Sequence, residues 1–155
     1  MKLISHRGNL NGPDKNFENN PLKINLALEK GYDCEVDLWA VEREDGKVNF
    51  FLGHDSPEYL IQEDWLSVRK TQLWIHCKNM FALSMLSASK HNFNFFWHNI
   101  DDYTVTSRGY IWVYPGRPVP RNGILVLPEK HYHDLKDLNK SRVYGVCSDF
   151  VGEMH

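Results

Sequence analysis

Asp33-Cys34-Glu35-Val36-Asp37-Leu38-Trp39-Ala40-Val41 alternates in character along one strand length. Cys34, Val36 and Leu38 fall on one face, and Glu35, Asp37 and Trp39 on the other, because side-chain direction alternates along a strand. Glu35 and Asp37 therefore point the same way. Two such carboxylates repel unless a cation lies between them, and a divalent metal resolves that repulsion. An isolated Glu-x-Asp pair reads as a solvated strand face. Here the apolar opposite face fits a strand whose carboxylates line a cleft.

Upstream, Lys2–Ser5 predicts a short strand ending at His6-Arg7-Gly8. A polar loop from Asn9 to about Asn20 follows. Pro21 opens a predicted helix through about Glu29, closed by Gly31. Downstream, Asp45-Gly46 signals a hairpin turn into Lys47–Leu52, which ends at Gly53-His54-Asp55. Further strands are predicted at Gln72–Lys78, Phe93–Trp97, Thr104–Ser107, Tyr110–Tyr114, Ile124–Leu127 and Arg142–Ser148. Helices are predicted at about Met80–Ser89 and around His133–Leu138. Thr104–Ser107 and Tyr110–Tyr114 lie too close for a parallel crossover, so they pair antiparallel if at all. The order is α/β at the front and helix-poor β at the back.

Ionisable residues recur at or near strand C-terminal ends: His6, Glu35 and Asp37, His54, His76 and Lys78, His98 and Asp149. Sites in α/β folds gather at that edge of the sheet. Arg108 reads as a solvated turn residue or an anion contact. His131 and His133 read as surface residues or an adventitious metal pair.

The chain has 155 residues, 42% hydrophobic and 25% charged, which predicts one globular domain over 1–155. A net charge of −2 carries no general basic footprint, so no nucleic-acid partner is expected. No apolar run approaches the roughly 20 residues of a membrane helix, so no stable membrane insertion is expected. The first eight residues turn polar too early for a signal peptide. Cys34, Cys77 and Cys147 are odd in number and far apart, which reads as free thiols in a reducing compartment. The expected location is cytoplasmic.

Four words stand in order over roughly the first 55 residues: His6-Arg7-Gly8, Glu18-Asn19, Glu35-Val36-Asp37 and His54-Asp55. Their order and approximate spacing resemble the glycerophosphodiester phosphodiesterase family, within the phospholipase-C-like phosphodiesterase superfamily of TIM-type barrels. Ile75-His76-Cys77-Lys78 is similar to the family's third-strand Glu-x-Lys, and Gly145–Phe150 to its last strand, which ends in Asp. The resemblance implies His6 and His54 as general acid and base, in an order left open. It implies Arg7 on the phosphate, Lys78 adding positive charge there (a surface lysine is the alternative), and a divalent cation on Glu35 and Asp37. A phosphodiester is an anion that resists attack, so it needs cationic neutralisation and two proton-transfer groups.

The chain departs from the family pattern twice. His76 stands where the family has a Glu ligand. Mg²⁺ or Ca²⁺ follows from the resemblance, whereas His76 as a ligand suits Mn²⁺ or Zn²⁺. The length falls well short of the roughly 250 residues of a full barrel. The expected fold is therefore a reduced, distorted TIM-type barrel with several outer helices missing. The expected function is metal-assisted hydrolysis of a small, glycerophosphodiester-like substrate. The alternatives are a metal-independent phospholipase-C-like lyase, with Arg7 or Lys78 in place of the cation, and a non-catalytic phosphate-binding module.

Overall fold

The computed structural model describes residues 1–131 and 143–154. The predicted helix around His133–Leu138 lies outside the described residues. Among the described residues, ten strands and three α-helices follow in the order β1 (Lys2–His6), α1 (Pro21–Glu29), β2 (Asp33–Glu42), β3 (Val48–Leu52), β4 (Tyr59–Ile61), α2 (Glu63–Ser67), β5 (Leu73–Cys77), α3 (Met80–Ala88), β6 (Phe95–Phe96), β7 (Tyr103–Val105), β8 (Ile111–Val113), β9 (Gly123–Val126) and β10 (Gly145–Ser148).

Parallel ladders join β6-β5-β2-β1-β10-β9-β8 in that spatial order. Three antiparallel additions, β2-β3, β3-β4 and β7-β8, make the sheet mixed. The sheet curls into a half-barrel and is not a TIM barrel with a helix between every pair of strands. This overturns the reduced-barrel expectation, and the reason lies in the connections. Among the described residues, α-helices occur only in the β1-to-β2, β4-to-β5 and β5-to-β6 links. From β6 to β9 the chain uses the β7-β8 hairpin and a loop. A crossover helix needs a connection of a dozen or more residues, and each link in that stretch, 97–102, 106–110 and 114–122, is shorter.

Strand alternation sorts the core. On the convex face Cys34, Val36, Leu38, Leu73, Ile75 and Cys77 pack with Ile24 of α1 and Ala82 and Leu86 of α3. On the concave face Ile4, Trp74, Phe96, Trp112, Ile124, Val126 and Cys147 form a second cluster. Trp74 and His76 alternate with Leu73, Ile75 and Cys77, so the second residue of each pair turns inward. Behind β9 and β10, Leu125 and Val146 are covered by Tyr32, Val151 and Met154. Loops and a 3₁₀ turn at Val151–Glu153 supply that cover where a barrel would place helices. All three cysteines are buried and free.

The long strand β2 organises the site. Its first half pairs with β1 and its second half with β3, from opposite directions. The two neighbours meet end to end along one edge of β2. Arg7 N–H donates to Glu35 O at 3.0 Å, and Gly53 N–H donates to Asp37 O at 3.1 Å. The two histidine-bearing turns thus arrive side by side. Asn79 locks the far side of β2. Its amide bonds both Ala40 backbone groups while it accepts from Ala82 N–H to cap α3.

Candidate active site

His6, Arg7, Glu35, His54, His76 and Lys78 all line one cleft of about 280 Å³. Asp37 lies buried beneath it, in contact with Arg7, His76 and Lys78. The sequence-predicted residues are therefore brought together at the C-terminal edge of the parallel strands. Arg108 is elsewhere, donating to the carbonyls of Lys70 and Asn92. Its reading as an anion contact is corrected to that of a structural plug.

His6-Arg7-Gly8 is a tight turn. Asn9 N–H returns to His6 O at 2.9 Å, and Arg7 and Gly8 both take positive φ, 55° and 84°. A Cβ on Gly8 would press on the Ile24 backbone, so glycine is needed there for space as well as for conformation. The turn aims Arg7 inward. Its guanidinium lies 3.0 Å from Glu18 Oε2 and 2.9 Å from Asp37 Oδ2. Asn19 clamps Asp37 twice, donating to Oδ2 and accepting from its backbone N–H, both at 2.9 Å.

Each histidine is held by a carboxylate through Nδ1. His6 Nδ1 lies 2.7 Å from Asp149 Oδ1, and His54 Nδ1 lies 2.6 Å from Asp55 Oδ1. Because a carboxylate only accepts, Nδ1 carries the proton in both rings and Nε2 is the working atom. His6 is buried, with Glu35 Oε2 3.9 Å from its Nε2. Burial works against its charge, but Asp149 and Glu35 outweigh burial and raise its pKa above the usual value. His54 is half-exposed. Burial and the Arg7 charge hold its pKa below the usual value. The two rings thus favour opposite protonation states.

Sequence reading assigned no role to the supports. Asn9 donates to Asp149 Oδ1 at 2.8 Å. Glu129 accepts from Ser148 Oγ and from Asp149 N–H, each at 2.9 Å. These partners are 140 and 20 residues from Asp149, so no local spacing marks them. Strand-end position flagged Asp149 and His98, and topology alone supplies the pairing of Asp149 with His6.

Glu35, Asp37 and His76 each offer a ligand atom, and these atoms lie within 4.8 Å of one another. Glu35 Oε2 and Asp37 Oδ1 are buried without a hydrogen-bond partner. His76 Nε2–H donates to the His98 carbonyl at 3.1 Å. His76 Nδ1 faces Asp37 Oδ1 at 3.0 Å, donating to it when the ring is protonated and freeing its lone pair for a cation when the ring is neutral. A ring nitrogen oriented by a carbonyl on its other side is the usual support for a metal-ligating histidine. Burial and the neighbouring Asp37 push the Glu35 carboxyl above its usual value, as expected of a carboxylate short of a cation. Burial alone would raise Asp37 too, but His76, Arg7 and Lys78 together hold it well below the usual range. The donor set fits a divalent cation, and one imidazole with two carboxylates suits Mn²⁺ or Zn²⁺.

Among the described residues, no helix is long and apolar enough to cross a membrane. Comparison of the chain with protein-family models, curated proteins and solved structures finds no match.

Proposed function

We propose that the chain cleaves a phosphodiester bond with His6 and His54 as the proton-transfer pair. The observation that carries this reading is the convergence of two carboxylate-anchored histidines, Arg7 and Lys78 on one cleft. Arg7, already oriented by Glu18 and Asp37, binds the phosphoryl oxygens through its planar fork. Lys78 adds a second fixed charge. His54 starts neutral and takes the proton from a water molecule as its oxygen bonds to phosphorus. His6, flanked by Asp149 and Glu35, starts protonated and gives its proton to the departing alkoxide. Asp149 and Asp55 keep each ring in the tautomer that presents Nε2. Glu35, Asp37 and His76 would hold a divalent cation, which would supply further neutralisation of the phosphate charge.

A metal-independent lyase is the second reading. Arg7 and Lys78 favour it, since both approach Asp37 and place two fixed cations at the cleft.

A panel of small phosphodiesters, assayed with Mn²⁺, Zn²⁺, Mg²⁺ and Ca²⁺ and with a chelator control, tests the proposal. Alcohol release that stops on chelation and returns with metal is the expected result. Glu35→Gln removes one charge with little change in shape and abolishes the metal-dependent rate. Turnover that survives chelation and Glu35→Gln selects the lyase. No alcohol release from any diester overturns the proposal.

A further inference from the structure

The cleft has two unlike walls. Histidines, Arg7, Glu35 and Lys78 form one. The other is built from Trp112, Tyr114 and Pro115 at the end of β8 and Val126 and Leu127 at the end of β9. Resting on the phosphodiesterase reading, we infer that one ester arm of the substrate is an apolar alkyl chain lying along this second wall.

Three observations carry the inference. First, Pro115, Val126 and Leu127 offer no side-chain hydrogen bond and Trp112 only its indole N–H, with the polar lining residues His98, Asn99 and Lys130 standing around them. A polyol arm laid on Pro115, Val126 and Leu127 would leave hydroxyls unpaired. Second, the wall is built at a conformational cost. Leu127 is buried in the left-handed region at φ 46°. A non-glycine residue is strained there, and such strain clusters at ligand sites. Its N–H bonds Cys147 O at 2.7 Å, which fixes it at the cleft. Third, the apolar surface continues beyond the cleft. Tyr114 is 48% exposed, and Ile100, one residue past the cleft-lining Asn99, is 88% exposed. Tyr114 N–H donates to Asp102 O at 2.9 Å, which ties the end of β8 to the loop that bears Ile100. The phosphate sits against the charged wall, and the chain leaves along Leu127, Trp112 and Tyr114 towards Ile100.

The test is a series of alkyl p-nitrophenyl phosphates from ethyl to octyl, kept below their aggregation concentrations, beside glyceryl p-nitrophenyl phosphate. The expected result is a kcat/KM that rises roughly two- to fourfold per methylene until the wall is filled. The glyceryl ester falls below the butyl ester. Ile100→Ser and Tyr114→Ser each lower the octyl-to-ethyl ratio, by about three- to tenfold. Calorimetry with the matching alkyl methylphosphonates reads chain length without turnover. Affinity that is flat with chain length overturns the inference, whatever the rates. Affinity that rises with chain length, with no diester cleaved, upholds the apolar subsite and overturns the phosphodiesterase reading.

Discussion

His6 sits between two carboxylates, Asp149 on Nδ1 and Glu35 near Nε2, while His54 faces the Arg7 charge. The first placement raises one pKa and the second lowers the other. If His54 works neutral and His6 works protonated, the rate rises as pH passes the lowered value and falls as pH passes the raised one. The pH–rate profile is therefore a broad bell. The limbs separate around the ordinary histidine value of about 6.5 because Asp149 favours the protonated ring of His6 while burial and Arg7 favour the neutral ring of His54. The limbs belong to the pair, since coupled groups titrate together. Reversed roles are excluded if a nitrophenyl leaving group, which needs little protonation, restores much of the His6→Ala rate and little of the His54→Ala rate. Asp149→Asn presents an amide to His6 and favours the wrong tautomer. It lowers kcat by roughly 10²-fold or more with the fold retained, as circular dichroism would check. At this scale the His-Arg-Gly, Glu-Asn, Glu-x-Asp and His-Asp words were legible because each is contiguous. Asp149 was legible only as a strand-end residue and Glu129 not at all, since their partners meet only through the β1-β10 and β9-β10 pairings.

The β2-β3 hairpin carries His54 to the cleft, and Gly53 is where it turns. Gly53 has φ 153°, and a Cβ there would collide with the Ser56 carbonyl. Gly53→Ala should displace His54 from the cleft. Activity should fall by about 10²–10⁴-fold, the range for losing a positioned proton acceptor. Imidazole quenching or NMR of His54 would report the displacement, with the spectrum of α1 and α3 unchanged. Period-two alternation made β2 and its two faces readable from sequence, and Asp45-Gly46 marked the hairpin. The three-residue β4 and five-residue α2 went unread. β4 exists because Tyr59–Ile61 finds a partner in Phe50–Leu52, and α2 is a single turn whose only fully buried side chain is Leu66. Elements this short are specified by tertiary contact, not by periodicity.

Across the whole molecule, a cationic cleft is set in a half-barrel with apolar clusters on both faces. Strands β1, β2 and β5 were legible from the sequence motifs, but neither the order of the strands in the sheet nor the outer layer was. Motifs lie at strand ends and say nothing about what covers the convex face. Buried Glu35 and Asp37 repel side by side on one face of β2, so an ion that neutralises them stabilises the folded state. Mn²⁺ or Zn²⁺ at about a hundred times its Kd should raise the melting temperature by roughly 5–10 °C, and Glu35→Gln should remove the shift. An equal shift in wild type and variant would place the ion elsewhere. The central claim is that His6 and His54 work as one unit on a phosphodiester, and kcat/KM on a diester with a poor leaving group tests it most directly. The prediction is a loss of about 10²–10⁴-fold for His6→Ala and for His54→Ala, and a double variant far less impaired than the product of the two. Near-wild-type rates in both single variants would contradict the account.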